Sequence, residues 1–323
     1  MRRVSAFAGA AILILLLGVV FAPAPGGRLW LSRLYDFVHG PIFGAAAVLS
    51  LLALRRSSAF VRLAPARQYA LALAISTLLG LLTEIAQIPV GRDASWADVR
   101  SDVLGAVAFL ALFSLFDPAP SARPVRTARR VALAALGAIL IGYLVAPFAR
   151  AVIEYQHRRS IFPVIADFSE RFDDYFVWRL GVLLEAAPAP QALRGAPQER
   201  AARVRFLTGR YPGLNFHEPW ADWRGYQTLA VDVGNPGEQP LRVVVRVHDA
   251  AHDQSYDDRF NRAFILPPAT RQTLRVALSD VRTAPGSREM DMSRVAGVVV
   301  FRDLEPGEAP HAQEMYLWRV WLE

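Results

Sequence analysis

The chain has 323 residues, 53% of them hydrophobic, a formal net charge of +7 and no cysteine. Its mean hydropathy of +0.24 is high for a soluble protein, and its length suits two units rather than one. Disulfide and thiolate chemistry are excluded. Every basic residue is arginine, and the arginines gather in loops between apolar runs, not in a patch on a folded domain, which argues against nucleic acid as a partner.

Five apolar stretches, near 4–22, 38–54, 68–90, 99–116 and 131–148, approach the roughly 20 residues that cross a bilayer as a helix. The N-terminus and the loops after the second and fourth stretches carry ten arginines (Arg2, Arg3, Arg55, Arg56, Arg62, Arg67, Arg123, Arg126, Arg129, Arg130), whereas the opposite loops carry four (Arg28, Arg33, Arg92, Arg100). That bias predicts a cytoplasmic N-terminus and an extracytoplasmic C-terminal half in a bacterial-type inner membrane. If the first stretch were instead a signal peptide cut near Ala22-Pro23-Ala24, the topology of the rest would be the same.

Residues 150–199 are expected to form a bridge. Val164, Phe168, Phe172, Phe176, Leu180 and Leu184 recur every four residues among Asp167, Glu170, Asp173 and Asp174. The pattern predicts an amphipathic helix, either lying on the membrane or forming a stalk. The Ala/Pro-rich segment 186–198 follows as a linker. Beyond it the pattern alternates. Strands are predicted at 203–207, 228–233, 241–247, 260–266, 273–278, 297–301 and 315–322, separated by turn signals such as Tyr211-Pro212-Gly213 and Gly234-Asn235-Pro236-Gly237. The fold class expected is a membrane bundle of five helices (1–149) followed by an all-β sandwich (200–323).

Charged and amide side chains recur at helical spacing within the apolar region: Asp36 and His39, Glu84 and Gln87, Asp98 and Asp102. Charge at membrane depth costs about 2.5–3.5 kcal/mol per residue on insertion scales, so such groups carry partners or a task. Gly80 and Gly105 would let helices approach beside them. Several readings stand side by side. Asp36 or Glu84 with His39 would serve acid–base chemistry, with Arg92 holding a phosphate or carboxylate. Asp36, Glu84, Asp98 and Asp102 would bind a divalent cation such as calcium or magnesium through oxygen. Alternatively the groups tie helices together, with Ser95 and Asp98 as a capping box.

The string Asp36-x-x-His39, Glu84-x-x-Gln87, Arg92-x-x-Ser95-x-x-Asp98 and Asp102-x-x-Gly105 resembles the VanZ-like membrane family over about residues 30–118. Phe37 stands where that family usually has Lys, and Asp102 where it has Asn. The resemblance implies an envelope process related to glycopeptide resistance; the polar cluster is expected to engage membrane lipid or a lipid-linked glycan, with envelope proteins as partners.

In the C-terminal half, Trp220, Trp223, Tyr226 and the segment Tyr256-Asp257-Asp258-Arg259-Phe260-Asn261 stand out. Aromatic rings stack on the apolar faces of sugars, and Asp, Asn and Arg bond hydroxyls. Core packing with a salt-bridged turn is the competing account. These residues, with Asp232-x-x-Asn235-Pro236, are similar to galactose-binding-like jelly rolls, including carbohydrate-binding modules, and the resemblance implies a glycan ligand. His248, Asp249, His252 and Asp253 read as a polar loop rather than a zinc site, since a third strong ligand is missing. There is no Walker loop, dinucleotide fingerprint or nucleophile motif.

Overall fold

A computed structural model describes residues 28–91, 93–117, 127–207, 209, 211–303 and 313–323, together with Gly18. The first apolar stretch, Gly18 apart, and Arg92 lie outside the described residues. Contacts divide the chain into two compact units, Met1–Ile153 and Glu154–Glu323.

The first unit contains α1 (Leu29–Arg56), α2 (Pro65–Gln87), a 3-10 turn (Ile88–Val90), α3 (Trp96–Phe116) and most of α4 (Thr127–Ile161). All four helices are long and apolar enough to cross a membrane. Helix α2 begins with Pro65 in its first turn, where a missing N–H is harmless. Helix α3 begins at the N-cap Ser95, whose side chain accepts the Asp98 amide at 3.3 Å. Helices α1 and α3 pack through small residues. A Cβ on Gly105 would collide with the backbone of Gly40, and one on Gly44 would meet the Phe109 ring at 2.5 Å. Ala47, Leu51, Ala72, Ala106 and Leu110 form the buried seam.

At the Arg55 end of this bundle a charged network is partly buried. Arg55 donates to both oxygens of Asp117 at 2.6 and 2.5 Å and to Gln68 at 3.1 Å, and Tyr69 donates to Asp117 at 2.8 Å.

The second unit is a sandwich of two antiparallel sheets. Its strands are β1 (Val164–Asp167), β2 (Val177–Leu180), β3 (Val182–Pro188), β4 (Arg200–Phe206), β5 (Gly213–His217), β6 (Thr228–Asn235), β7 (Leu241–Asp249), β8 (Phe260–Leu266), β9 (Thr270–Ala277), β10 (Val295–Arg302) and β11 (Glu314–Leu322), with a short helix α5 (Leu278–Arg282) after β9. One sheet runs β3-β4-β11-β6-β9 with β1 also paired to β11; the other runs β2-β5-β10-β7-β8. Alternation builds the core. Val243, Val245 and Val247 point inward from β7, as do Val298 and Val300 from β10 and Val231 and Val233 from β6. Each such side chain, fully buried, contributes about 1.5–3 kcal/mol. A bulge between Leu317 and Arg319 adds one residue to β11. Trp318 therefore joins Tyr316 in a separate cluster while Val320 and Leu322 return to the main core.

All seven predicted strands are present, and β1, β2, β3 and β5 are additional. The expected amphipathic helix over the bridge is replaced by β1, β2 and the start of β3. The reason is arithmetic: apolar residues four apart satisfy the helical period and the strand period of two equally well. The segment 186–198 is likewise no linker. It begins inside β3, and Ala189 and Leu193 are buried against Ala201, Tyr316 and Trp318. Arg271 holds this segment by pairing with Glu199 at 2.9 Å and Asp232 at 2.7 Å while lying 4.0 Å over the Trp318 ring.

Candidate functional sites

In the bundle, α1 delivers His39, α2 delivers Glu84 and Gln87, and α3 delivers Asp98 and Asp102. His39, Glu84, Gln87 and Asp102 are 2%, 3%, 0% and 1% exposed. His39 Nδ1 lies 3.2 Å from Asp102 Oδ1. Glu84 Oε2 accepts the Ser95 backbone N–H at 2.7 Å, so the amide left over at the start of α3 is satisfied from α2. One ligand-type atom each of His39, Glu84 and Asp98 lies within 4.8 Å of the other two. His39 Nε2, Glu84 Oε1 and Asp102 Oδ2 are buried without a hydrogen-bond partner. Gly80 makes room for the Asp102 carboxylate, which a Cβ there would meet at 2.7 Å.

Asp36 stands apart. It is 45% exposed and pairs with Arg33 at 3.3 Å, one turn back on its own helix. The expectation that it shares a buried face with His39 is thereby corrected: the surface of α1 passes from buried to exposed between the two. Ser95 is the cap that the spacing implied. The sequence argument for an anionic ligand rested on Arg92. The described members of the cluster are three carboxylates, an amide, a hydroxyl and an imidazole, which suit a cation better.

In the sandwich, the predicted sugar-binding residues separate into four groups. Trp223 is 1% exposed, packed in the core, with its indole N–H donated to the Trp220 carbonyl at 2.8 Å, so its ring cannot meet a ligand. Trp220 and Tyr226 pack on Phe162, with ring centroids 5.9 and 5.4 Å away. Asp258 is 7% exposed and locked by Arg288, which also grips Asp249 at 2.6 Å. Arg288 holds the Asp258 carboxyl down at about 2. With His252 bonded to the Asp258 carbonyl at 2.9 Å, this knot is an ion-paired turn, and Asp258 brings a third ligand-type atom within 4.8 Å of those of His252 and Asp253. Tyr256, Asp257, Arg259 and Asn261 do come together, lining a cavity of about 600 Å³ with Arg262 and Asp280.

That cavity adjoins a face the sequence did not single out. Across the β2-β5-β10-β7-β8 sheet, one cross-strand row reads Trp178, Asn215, Val299, Arg246, Asn261. The adjoining row carries His217, Gly297 and His248. Their neighbours in sequence, Phe216, Val245, Val247 and Val298, point into the core, so this row faces outward. Trp178, Tyr211 and Tyr256 are 54%, 46% and 69% exposed. Arg246 lies 4.8 Å over the Phe301 ring and donates Nε to Asn261 at 3.0 Å. Gly297 leaves room for the His248 ring. Asn215 Oδ1, His217 Nε2, His248 Nδ1 and Arg259 Nε are buried without a hydrogen-bond partner. Among the described residues Arg246 has no carboxylate partner, and the nearby Arg259 adds to burial in lowering its pKa. Burial, with His252, Arg246 and His217 around it, pushes His248 down to about 4. This is a cationic floor with aromatic rings at its margins. The signal that would have found it is polar residues at alternate positions of the strands, Asn215 and His217, Arg246 and His248, together with the missed strand that carries Trp178.

No protein-family model matches the chain, and no curated protein matches it. Among solved structures, an exo-beta-agarase is similar at 15% identity and a TM-score of 0.40, over 49% of this chain and 24% of that one. A family 11 carbohydrate-binding module from Clostridium thermocellum, in complex with a beta-1,3-1,4-mixed-linked tetrasaccharide, is similar at 12% identity and a TM-score of 0.33, over 45% of this chain and 86% of that one. The chain thus spans about a quarter of the agarase, and at these TM-scores the likeness carries no inference about ligand.

Proposed function

We propose that this is an integral membrane protein of the cell envelope whose β-sandwich binds an acidic polysaccharide across the outer face of its five-stranded sheet. The single observation that carries the reading is the row Trp178-Asn215-Val299-Arg246-Asn261. It offers a ring for a sugar face, amides for hydroxyls and an arginine without a carboxylate partner among the described residues. Guanidinium matches carboxylate or sulfate oxygens through paired N–H groups, and that favours an anionic over a neutral glycan. The extracytoplasmic placement rests on the arginine bias of the loops. The VanZ-like resemblance adds the association with envelope processes.

The test is binding of the full chain in nanodiscs to polygalacturonate and, in parallel, to a neutral mixed-linked glucan. Saturable binding to polygalacturonate, weakened at least about tenfold by Trp178→Ala and by Arg246→Ala, is expected, since central aromatic and arginine anchors commonly carry 2 kcal/mol or more. Equal affinity for both polymers would remove the acidic specificity. Binding unchanged in both variants would remove this face as the site.

A further inference from the structure

We propose that His39, Glu84 and Asp98 bind one divalent transition-metal ion, with Asp102 as the positioning partner of the His39 ring. The proposal is independent of the glycan reading. Three helices bring carboxylates and an imidazole to one buried point, and among the described residues no arginine is bonded to Glu84 or Asp102. Buried negative charge without a counter-charge is costly enough that such groups are normally paired or metal-bound. The vacant valences agree in direction. Asp102 Oδ1 takes the Nδ1 side of His39 at 3.2 Å, which leaves Nε2 as the lone-pair nitrogen, and Nε2 is the atom without a partner. Glu84 divides its work the same way: Oε2 accepts the Ser95 amide at 2.7 Å, and Oε1 is left over. A carboxylate bonded to the far nitrogen of a ligating histidine is the usual support of a metal site, fixing its tautomer and raising its basicity.

The donor set decides the class of ion. One imidazole nitrogen and two carboxylate oxygens suit zinc, manganese or iron, whereas calcium and magnesium favour oxygen alone. The oxygen-only site expected from the sequence also loses Asp36, which lies with Arg33. One ligand-type atom of each of the three residues already lies within 4.8 Å of those of the other two. Bonds of about 2.0–2.2 Å to a common ion would hold them no more than about 4.4 Å apart, so closure asks only for small side-chain rotations. Three protein donors leave a coordination position open.

The experiment is metal content by mass spectrometry on the full chain purified in detergent, stripped with chelator, re-equilibrated with Zn2+, Mn2+, Mg2+ or Ca2+ and desalted. The chain should retain about one equivalent of Zn2+ or Mn2+, and its thermal midpoint should rise with the same ion. Glu84→Gln and Asp98→Asn should lose both effects. Glu84→Gln keeps an acceptor for the Ser95 amide, and Asp98 is only half-buried, so the two report separately if one misfolds. Asp102→Asn should still bind, at about 10- to 100-fold lower affinity. No retained ion in a monodisperse wild-type sample, retention of Mg2+ or Ca2+ alone, or undiminished binding in the Glu84 and Asp98 variants would each overturn the proposal.

Discussion

The two ends of the helical bundle solve the same problem in opposite ways. At one end Arg55 meets Asp117 through two hydrogen bonds while Gln68 and Tyr69 occupy what remains of the pair, so the charges cancel. At the other end His39, Glu84 and Asp102 bring buried acceptors together and leave an atom of each unused. A balanced network explains itself as a staple between helices. An unbalanced one asks for something the described residues do not supply. The sandwich repeats the contrast: Arg288 between Asp249 and Asp258 is balanced, and Arg246 beside Arg259 is not.

The sharpest way to break the comparison is to unbalance the balanced end. Arg55→Ala takes the guanidinium partner away from Asp117, and thermal or denaturant unfolding in detergent should show a loss of about 3 kcal/mol, the low end for a broken buried pair because Arg55 is partly exposed. Gly105→Ala tests the close approach of α1 and α3 that both networks depend on. Its Cβ would meet the Gly40 backbone, and overpacking of this kind costs about 1–3 kcal/mol. Ser95→Ala removes the acceptor of the Asp98 amide and should cost about 1 kcal/mol, within the range for N-caps. Glu84→Gln, measured after chelator treatment, should leave the unfolding midpoint unchanged or raise it, because it removes a buried charge that nothing in the described chain offsets. If it destabilised as much as Arg55→Ala, the two ends would be alike and the contrast would fail.

A pH dependence is expected in the sandwich. His248 has its folded pKa lowered from 6.5 to about 4, so the unfolded chain binds its proton first. Stability should therefore fall as pH drops from about 6.5 towards 4, and level off below it. His248→Gln should flatten that slope in a thermal melt. An acidic polymer bound to the same face should flatten it as well, by favouring the protonated ring.

Much of the architecture could be read from residue patterns, and the places where reading failed share a cause. The seven predicted strands, 260–266 to the residue, follow from alternation bounded by turn signals. The helices of the bundle follow from length and apolarity, though Asp36 and His39 sit well inside α1, since it begins at Leu29 rather than just before Asp36. Strand β1 was missed because Val164 and Phe168 fit two periods at once; what settles the matter is pairing with β11, some 150 residues away in sequence, which local spacing does not carry. The same holds for the sites. That His39, Glu84 and Asp102 are polar groups set among apolar helices was visible from their charge in apolar surroundings. That Asp102 serves His39, 63 residues distant, while Asp36 turns back to Arg33, depends on which faces of the helices meet. For Trp223 the two accounts weighed from the sequence, a sugar platform and core packing, resolve to core packing, since its ring plugs the core.

The bond from the Ser95 amide to Glu84 also bears on how the chain is built. The first turn of α3 is completed by a side chain of α2, so the second helix of that hairpin is finished only after the first is in place beside it. An amide left open away from water is costly. The hairpin α2–α3 therefore completes itself as one unit, and a mutation at Glu84 is expected to be felt while the hairpin forms before it is felt in the finished protein.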